Sequence, residues 1–231
     1  MNSVALIIPA AGSGERLEQQ LPKPYIKIAG KTILEHTLRR FLDLRELKQV
    51  IVATSDAYRE MSAEALAATL PSTVDYCCVE GGAERQHSIS HALEQVGEAE
   101  LVAVHDAVRP FIRAEVIRRC IEAAAQAGGA VVGVRAKDTV KKVDEEMFID
   151  QTPERKSLWQ TQTPQIFKKE ILREAYRRAS EEAFVGTDDS SLVERLGRRV
   201  KMVEGDRDNF KITYPVDLKL ARLLLEEEDS Q

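Results

Sequence analysis

Three features are scarce in this 231-residue sequence: cysteine, an excess of positive charge, and long apolar runs. The net charge is -5, so no overall positive field exists to attract nucleic acid or an anionic membrane, and any anion site must be local. No apolar run approaches the roughly 18 residues of a transmembrane helix, and the first residues lack the basic segment of a secretory signal. We expect a soluble, unprocessed cytoplasmic protein with no nucleic-acid or membrane partner.

Cysteine occurs only as Cys77, Cys78 and Cys120, and this spacing is not that of metal ligands. A disulfide between the two adjacent cysteines, which lie in an apolar run, would be strained. We therefore expect all three to be reduced, buried thiols, as is usual in the cytoplasm.

Two other motifs resemble metal sites only superficially. His87 and His91 are four residues apart in HSISH, but the glutamate of an HExxH zinc site is missing. Asp188 and Asp189, in TDDSS, are expected to open a helix, where acidic side chains favour the positive end of the helix dipole. Neither motif therefore predicts a metal.

Short runs rich in β-branched residues alternate with segments whose apolar residues recur at helical spacing. Strands are predicted at 4–8, 50–55, 74–79, 101–106, 130–135 and 199–204. Helices are predicted at 32–44, 57–70, 84–96 and 114–127. Most strand runs are continuously apolar, as in strands buried on both faces. This order predicts a single Rossmann-like α/β domain over residues 1–231, with a mostly parallel twisted sheet flanked by helices and ligands at the carboxyl ends of the strands.

Residues 137–165 interrupt this alternation with a polar pattern that has no helical stripe. A structureless loop of about thirty residues is improbable inside a compact domain, so we predict a protruding β-hairpin arm. The segment also contains apolar residues that need a partner surface: Val140, Val143, Met147, Phe148, Ile149 and Trp159. Because two such arms can pack about a two-fold axis, the arm predicts a homodimer.

The segment PAAGSGERLEQQLPKPY, residues 9–25, follows the first predicted strand. Gly12 and Gly14 allow a tight turn whose N–H groups can approach a phosphate. Arg16 and Lys23 can converge on one polyphosphate, and fixed cations of this kind stabilise the charge that develops in phosphoryl transfer. The segment lacks the third glycine of GxGxxG and is not GxxxxGK[ST], so it is neither a dinucleotide-binding fingerprint nor a P-loop.

A second glycine motif, GGAERQHSISHAL, follows the strand predicted at 74–79. Gly81 and Gly82 let backbone groups approach a flat base and read its edge, because no side chain is in the way. Ser88, one turn into the following helix, can add a hydroxyl contact. The structural alternative is that the two glycines only make a turn.

A third motif, VHDAVRPF, closes the strand predicted at 101–106. We expect Asp106 to be exposed at the active edge of the sheet, where it can hold hydroxyls or a metal, while Arg109 holds a phosphate. A structural ion pair between them is the alternative. His105 is expected to pack or hydrogen-bond rather than to titrate in catalysis.

These motifs occur in order with KDTVK, LWQTQTPQIF, TDDSSLVE and VEGDRDNFKITYPVDL. Over almost the whole chain, the set resembles the 2-C-methyl-D-erythritol 4-phosphate cytidylyltransferases, which are sugar and polyol nucleotidyltransferases. The resemblance implies an enzyme that transfers CMP from CTP to 2-C-methyl-D-erythritol 4-phosphate, releasing pyrophosphate, in non-mevalonate isoprenoid biosynthesis. Val108, where alanine is common, is a harmless departure. Ala83, where aspartate also occurs, leaves no side-chain contact to the nucleotide from that position.

The resemblance also implies a role for each matching residue. Nucleotide binding is implied for Pro9, Ala10, Ala11, Gly12, Gly14, Gly81, Gly82 and Ser88. Catalytic roles are implied for Arg16, Lys23, Arg155 and Lys211, with the arm carrying Arg155 to the substrate phosphate of a partner subunit. Substrate contacts are implied for Asp106, Arg109, Thr139, Thr163 and Thr187. Mg2+, or another divalent cation, would bridge the triphosphate, with Asp106 as a metal ligand.

Three alternatives remain open. A related ribitol-5-phosphate cytidylyltransferase would use the same nucleotide and another polyol phosphate. An NAD(P)-dependent dehydrogenase is disfavoured because the third glycine and the acidic residue that binds the ribose are missing. A non-catalytic nucleotide-binding regulator would have no need of so many cations.

Overall fold

A computed structural model describes residues 2–12 and 21–229; Gly14 and Arg16 lie outside the described residues. The strands are β1 Val4–Pro9, β2 Lys27–Ile28, β3 Lys31–Thr32, β4 Leu47–Thr54, β5 Asp75–Glu80, β6 Leu101–Val104, β7 Gly129–Arg135, β8 Lys142–Val143, β9 Ile149–Gln151, β10 Trp159–Lys168 and β11 Lys201–Glu204. The helices are α1 Ile33–Arg39, α2 Arg59–Thr69, α3 Arg85–Glu94, α4 Ala114–Ala127, α5 Lys169–Glu181, α6 Asp189–Arg195 and α7 Pro215–Asp229.

In the described part of the chain, seven strands form one sheet in the order β11-β7-β10-β6-β1-β4-β5. The pairs β1/β4, β1/β6, β4/β5 and β7/β11 are parallel, whereas β10 is antiparallel to both of its neighbours. The predicted α/β fold with a mostly parallel sheet is therefore confirmed. The chain order reverses between β1 and β6, and the crevice at such a switch point is the usual ligand site.

The central strand β1 shows why its sequence is continuously apolar. Val4, Leu6 and Ile8 pack into the core on one face, together with α1, α2 and α4. Ala5 and Ile7 pack on the other face, with α3, α5 and α6. Both faces of the strand are therefore removed from water, as the sequence predicted.

Strand β10 begins inside the segment predicted as an arm and extends beyond it, and the sequence did not predict this strand. Its last residues follow the expected pattern of a buried strand, but its middle carries the buried polar side chains Gln162, Thr163 and Gln165. Residues 159–165 therefore belong to the central sheet. Helices α5 and α7 were also not predicted, although Leu172, Ala175 and the residues that follow bury one face of α5.

The rest of that segment contains the predicted hairpin. β8 and β9 pair antiparallel, and Asp144 accepts N–H bonds from Glu146 and Phe148 in the turn. Residues 137–152 are all exposed. The side chains of Met147, Phe148 and Ile149 near the turn are 62–76% exposed.

Two expectations based on composition have different outcomes. All three cysteines are free thiols, but only Cys120 is buried, while Cys77 and Cys78 are half-buried on the edge strand β5. Burial raises the pKa of Cys120 to about 12, so this thiol is unreactive. Among the described helices, none is long and apolar enough to cross a membrane.

Candidate active site

A cleft of about 510 Å³ lies over the carboxyl ends of β1 and β6. The predicted site residues that line it are Pro9, Ala10, Ala11, Gly12, Lys23, Gly82, Ser88, Asp106 and Lys211. They come from five separate stretches of the chain, three of which follow β1, β5 and β6 and meet there because parallel strands end at one edge of the sheet.

The turn after β5 packs directly against the turn after β1. The Gly81 N–H donates to the carbonyl of Thr54 at 2.8 Å, which holds the turn to β4. A Cβ atom on Gly81 would lie 2.1 Å from the Cβ of Ala11, far inside the contact distance. A residue with a side chain therefore does not fit at position 81 unless one of the two turns moves.

Ser88 holds this turn from below. Its hydroxyl accepts the Gly82 N–H at 3.0 Å and donates to the carbonyl of Glu84 at 3.2 Å. The side chain is 3% exposed and lines the cleft. Its hydrogen bonds thus shape the loop that faces a bound molecule.

Asp106 is buried, and the expectation that it would be exposed is wrong. The physical reason is that three cations surround its carboxylate. Lys211 Nζ lies 3.1 Å from Oδ2, Arg109 Nε lies 3.3 Å from Oδ2, and Arg85 Nε lies 3.4 Å from Oδ1. The backbone N–H of Asp106 also donates to the Thr163 hydroxyl at 3.0 Å.

These cations also fix the protonation state of Asp106. Burial alone would raise its pKa, but the positive charges of Lys211, Arg85 and Arg109 hold the pKa well below its usual range. The carboxylate is therefore ionised at neutral pH. Three positive charges face two buried carboxylates, Asp106 and the Asp189 partner of Arg85, and this local excess leaves the floor of the cleft attractive to anions, although the whole chain is acidic.

Lys23 enters the cleft from a short helical turn that is anchored in the core. Its Nζ donates to the carbonyl of Thr213 at 2.8 Å, and the residue is 8% exposed. Two residues on, the Tyr25 hydroxyl bonds to Thr54 and Ser62 at 2.6 and 2.9 Å. The lysine therefore projects from a rigid support, which suits a cation that must be in place before a substrate binds.

Arg109 and Thr163 lie beneath the cleft and are not part of its lining. Arg109 Nη1 donates to the carbonyl of Asn209 at 2.8 Å, which ties the end of β6 to the chain before Lys211. The Asn209 amide in turn donates to the Thr163 carbonyl at 2.9 Å. Both predicted substrate residues thus have protein partners that hold the lining in place.

The structure does not bring every predicted site residue to the cleft. Thr139 and Arg155 are exposed in and beside the arm, and Arg155 Nη1 donates to the carbonyl of Lys137 at 3.2 Å. Thr187 is exposed just before α6. None of the three lines the cleft within this one chain.

Arg85 is a cleft residue that sequence reasoning missed. It lines the cleft at the first position of α3 and joins Asp106 to Asp189, whose Oδ2 lies 2.8 Å from its Nη2. The signal was its position after the paired glycines. Asp189 begins α6 as predicted, but it is fully buried and does more than favour the helix dipole.

His105 and the acidic side chains complete the chemistry of the region. Burial lowers the pKa of His105 to about 4, and its Nε2 donates to the carbonyl of Arg109 at 3.0 Å. The imidazole is thus neutral at pH 7 and has a structural role, as expected. Within the described ranges, no group of three or more His, Cys, Asp or Glu side chains is placed to hold a metal ion.

Comparison with known proteins places this geometry in a family. Residues 4–227 match the family model described as IspD: 2-C-methyl-D-erythritol 4-phosphate cytidylyltransferase. A relative of that name from Caldanaerobacter subterraneus subsp. tengcongensis is 44% identical over 224 residues, covering 96% of this chain and 99% of the relative. Another, from Symbiobacterium thermophilum, is 41% identical over 229 residues, covering 99% of this chain and 95% of the relative.

Solved structures give the same result. The 4-diphosphocytidyl-2C-methyl-D-erythritol synthase of Anaerococcus prevotii superimposes with a TM-score of 0.87 at 32% identity, covering 97% of this chain and 96% of that one. The 2-C-methyl-D-erythritol 4-phosphate cytidylyltransferase of Thermus thermophilus has a TM-score of 0.77 at 36% identity, with coverage of 96% and 98%. The similarity therefore extends over the whole fold.

Proposed function

Because the chain belongs to the 2-C-methyl-D-erythritol 4-phosphate cytidylyltransferase family, we propose that it transfers CMP from CTP to 2-C-methyl-D-erythritol 4-phosphate. The products are 4-diphosphocytidyl-2-C-methyl-D-erythritol and pyrophosphate. The observation that carries this proposal is the family match over residues 4–227. The family match argues against a dehydrogenase and against a non-catalytic regulator. It also favours 2-C-methyl-D-erythritol 4-phosphate over ribitol 5-phosphate as the acceptor.

The reaction is an in-line displacement at phosphorus. A phosphate oxygen of the polyol phosphate forms a bond to the α-phosphorus of CTP, and the bond to the bridging oxygen of the β-phosphate breaks. The attacking oxygen is already anionic, so no general base is needed. In agreement, the one histidine beside Asp106 is buried and engaged with the Arg109 carbonyl.

The residues around the cleft would bind and orient the two anionic substrates. The turns at 9–12 and 81–82 would hold the nucleotide, and the close approach of Gly81 to Ala11 supports a narrow pocket that suits a pyrimidine. Lys23 and Lys211 would neutralise charge on the phosphates as it shifts towards the leaving pyrophosphate. Through their places in the sequence motif, Arg16 would share this role and Gly14 would help to bind the nucleotide.

Mg2+ would neutralise the triphosphate and favour departure of pyrophosphate. Asp106 fits as its protein ligand in being ionised and in lining the cleft. Its two oxygens already face three cations, so the ion would have to displace at least one of them to reach the carboxylate, and phosphate oxygens and water would supply most of its ligands, as is usual for magnesium. Another divalent cation of similar size can replace it.

The arm would complete the site in a homodimer that works in the cytoplasm. What supports this is the exposure of Met147, Phe148 and Ile149, which leaves apolar surface without cover in one chain. In such a dimer, Arg155 would reach the substrate phosphate in the partner's cleft, and Thr139 and Thr187 would add hydroxyl contacts from the same lobe.

The direct test is to measure pyrophosphate release from CTP with each polyol phosphate. We expect release with 2-C-methyl-D-erythritol 4-phosphate, a much slower rate with ribitol 5-phosphate, and little use of ATP or GTP. Chelation of divalent cations should stop release and added Mg2+ should restore it. Preference for ribitol 5-phosphate, or equal use of a purine triphosphate, would contradict the proposal.

A further inference from the structure

A chain of buried polar contacts runs from helix α5 to the cleft. The Tyr176 hydroxyl donates to Asp189 Oδ1 at 2.5 Å, and Asp189 Oδ2 lies 2.8 Å from Arg85 Nη2. Arg85 Nε then reaches Asp106 Oδ1 at 3.4 Å, and Asp106 Oδ2 lies 3.1 Å from Lys211 Nζ. Only the last members of this chain line the cleft.

The far end of the chain is the part that needs an explanation. Asp189 is fully buried and Tyr176 is 5% exposed. Burying a carboxylate is expensive even when it is paired, so a pair such as Asp189 and Arg85 contributes little net stability. A buried ionisable group with a specific charge partner beside a cleft is a candidate for a functional role.

Asp189 is also held in place by its own helix terminus. Asp188 caps α6, accepting the Ser191 N–H at 2.9 Å, and the Gln165 side chain donates to Asp188 and accepts the Ser190 N–H, both at 2.9 Å. Because Gln165 belongs to β10, the start of α6 is fixed to the central sheet. Asp189 is therefore a rigid anchor for Arg85.

Arg85 itself cannot be placed by Asp106 alone. Its side chain is 32% exposed, and its contact with Asp106 is the longest of the three that Asp106 makes. An arginine with its far nitrogen bound to a fixed carboxylate presents its other nitrogens in a set direction, because the guanidinium is planar and rigid. The contact with Asp189 thus sets the direction from which Arg85 meets Asp106.

We propose that Tyr176 and Asp189 are positioning residues for the transfer reaction: they fix Arg85, which fixes the carboxylate of Asp106 and, through it, Lys211. This inference rests on the proposed function. It predicts that a change remote from the substrates lowers turnover without weakening CTP binding, because the change acts through side chains, whereas the backbone turns at 9–12 and 81–82 hold the nucleotide.

The first test replaces Tyr176 by phenylalanine, which keeps the packing and removes only the hydroxyl. We expect kcat to fall about fivefold, while the KM for CTP stays within about twofold, because the Asp189 carboxylate loses one hydrogen bond but keeps its ion pair with Arg85. Arg173→Ala is the matched control. This change also loosens α5 from α3, because Arg173 donates to the carbonyls of Leu93 and Val96. It leaves the contacts that link Tyr176 to Asp106 in place.

The outcomes separate positioning from general loosening. If Arg173→Ala lowers the Tm as much as Tyr176→Phe but keeps kcat within about twofold of wild type, the loss of turnover in Tyr176→Phe comes from the contacts that link Tyr176 to Asp106. If both variants lose turnover equally, or if Tyr176→Phe keeps normal turnover, the inference is wrong. Wild-type protein that releases no pyrophosphate would instead overturn the proposed function and this inference with it.

A double-mutant cycle tests the connection to Asp106. Asp189→Asn should lower kcat more than Tyr176→Phe does, by about tenfold or more, because it removes the charge that holds Arg85. In an Asp106→Asn background, Tyr176→Phe should have no further effect on kcat, because the group that it positions is gone. Full, additive loss in that background would show that Tyr176 acts by another route.

Discussion

Charged side chains are held firmly at the cleft and loosely in the arm. At the cleft, Lys211 and Arg85 in its lining and Arg109 beneath it all lie within 3.4 Å of one buried carboxylate, Asp106. In the arm region, Arg155 is exposed and donates to a single carbonyl at 3.2 Å. The cleft cations are therefore in position before any substrate arrives, whereas Arg155 needs a further surface to give it a fixed place.

This difference suggests how the site is divided. Groups that stabilise developing charge are most effective when they do not have to reorganise during the reaction. A single chain supplies such groups in the cleft, and its arm offers exposed apolar side chains and one loosely held arginine. We infer that the cleft is a preformed half of the site and that a partner's arm completes it.

The largest effect should come from the cleft. Lys23→Ala should lower kcat about 100-fold or more, because it removes a fixed cation from the transferred phosphates. We expect Arg16→Ala to lower kcat by a similar factor, because Arg16 belongs to the same sequence motif as Lys23. Lys27→Ala, four residues along the chain from Lys23 and exposed on β2, is the control and should stay close to wild type. Turnover within about threefold of wild type for Lys23→Ala would remove the lysine from the mechanism.

The buried imidazole of His105 should make the stability of the protein depend on pH. Burial lowers its pKa to about 4, whereas a histidine in the unfolded chain has its ordinary pKa of about 6.5, so the unfolded chain binds the proton first as the pH falls. The free energy of unfolding should therefore drop by up to about 3 kcal/mol between pH 6.5 and pH 4. The contribution is fully present above this window. The lowered pKa of Asp106 acts at still lower pH.

Denaturant unfolding across this pH window measures the effect. His105→Asn should unfold more easily at neutral pH and should show a smaller loss between pH 6.5 and pH 4 than wild type does. Identical pH dependence in the two proteins would mean that the imidazole is not kept neutral by burial.

Changes in the arm should weaken association of the dimer and have little effect on the stability of the folded chain. Phe148→Ser should raise the dissociation constant of the dimer by about tenfold or more, because burying a phenylalanine is worth about 1.5–3 kcal/mol. Leu223→Ser is the matched control, since Leu223 is 60% and Phe148 67% exposed. If sedimentation shows that both changes weaken the dimer equally, or that neither does, the arm does not form the interface.

The smallest of these effects concerns the nucleotide turn. Gly81→Ala should raise the KM for CTP about tenfold, because its Cβ would lie 2.1 Å from the Cβ of Ala11 and push the two turns apart. At Gly97 the nearest atom to a new Cβ is 3.8 Å away, so Gly97→Ala is the control. Steady-state kinetics with unchanged KM in Gly81→Ala would show that the close contact is not needed.

The sequence predicted the parallel core well, because strands such as β1 carry a local signal: they are apolar on both faces. It did not predict β10, since a strand that buries Gln162, Thr163 and Gln165 has no apolar pattern over that stretch. The sequence also predicted an exposed Asp106. Nothing near Asp106 in the chain indicates that Lys211 will lie against it.

The same limit applies to Arg85. It is 104 residues from Asp189 in the chain, so their contact results from the tertiary fold and leaves no spacing that a motif could reveal. By contrast, Gly81, Gly82 and Lys23 occur in short motifs whose chemistry is local, and these were predicted as site residues. Contacts that depend on the meeting of distant segments needed the structure.

The division of the site between two chains can be tested by complementation. When an Arg155→Ala chain is co-expressed with a Lys23→Ala chain, a mixed dimer should hold one site with both lesions and one with neither. Random pairing makes about half of the dimers mixed, so we expect roughly one quarter of wild-type activity from two nearly inactive parents. A mixture no more active than its parents, or an active monomer, would contradict the shared site and leave Arg155 an ordinary surface residue.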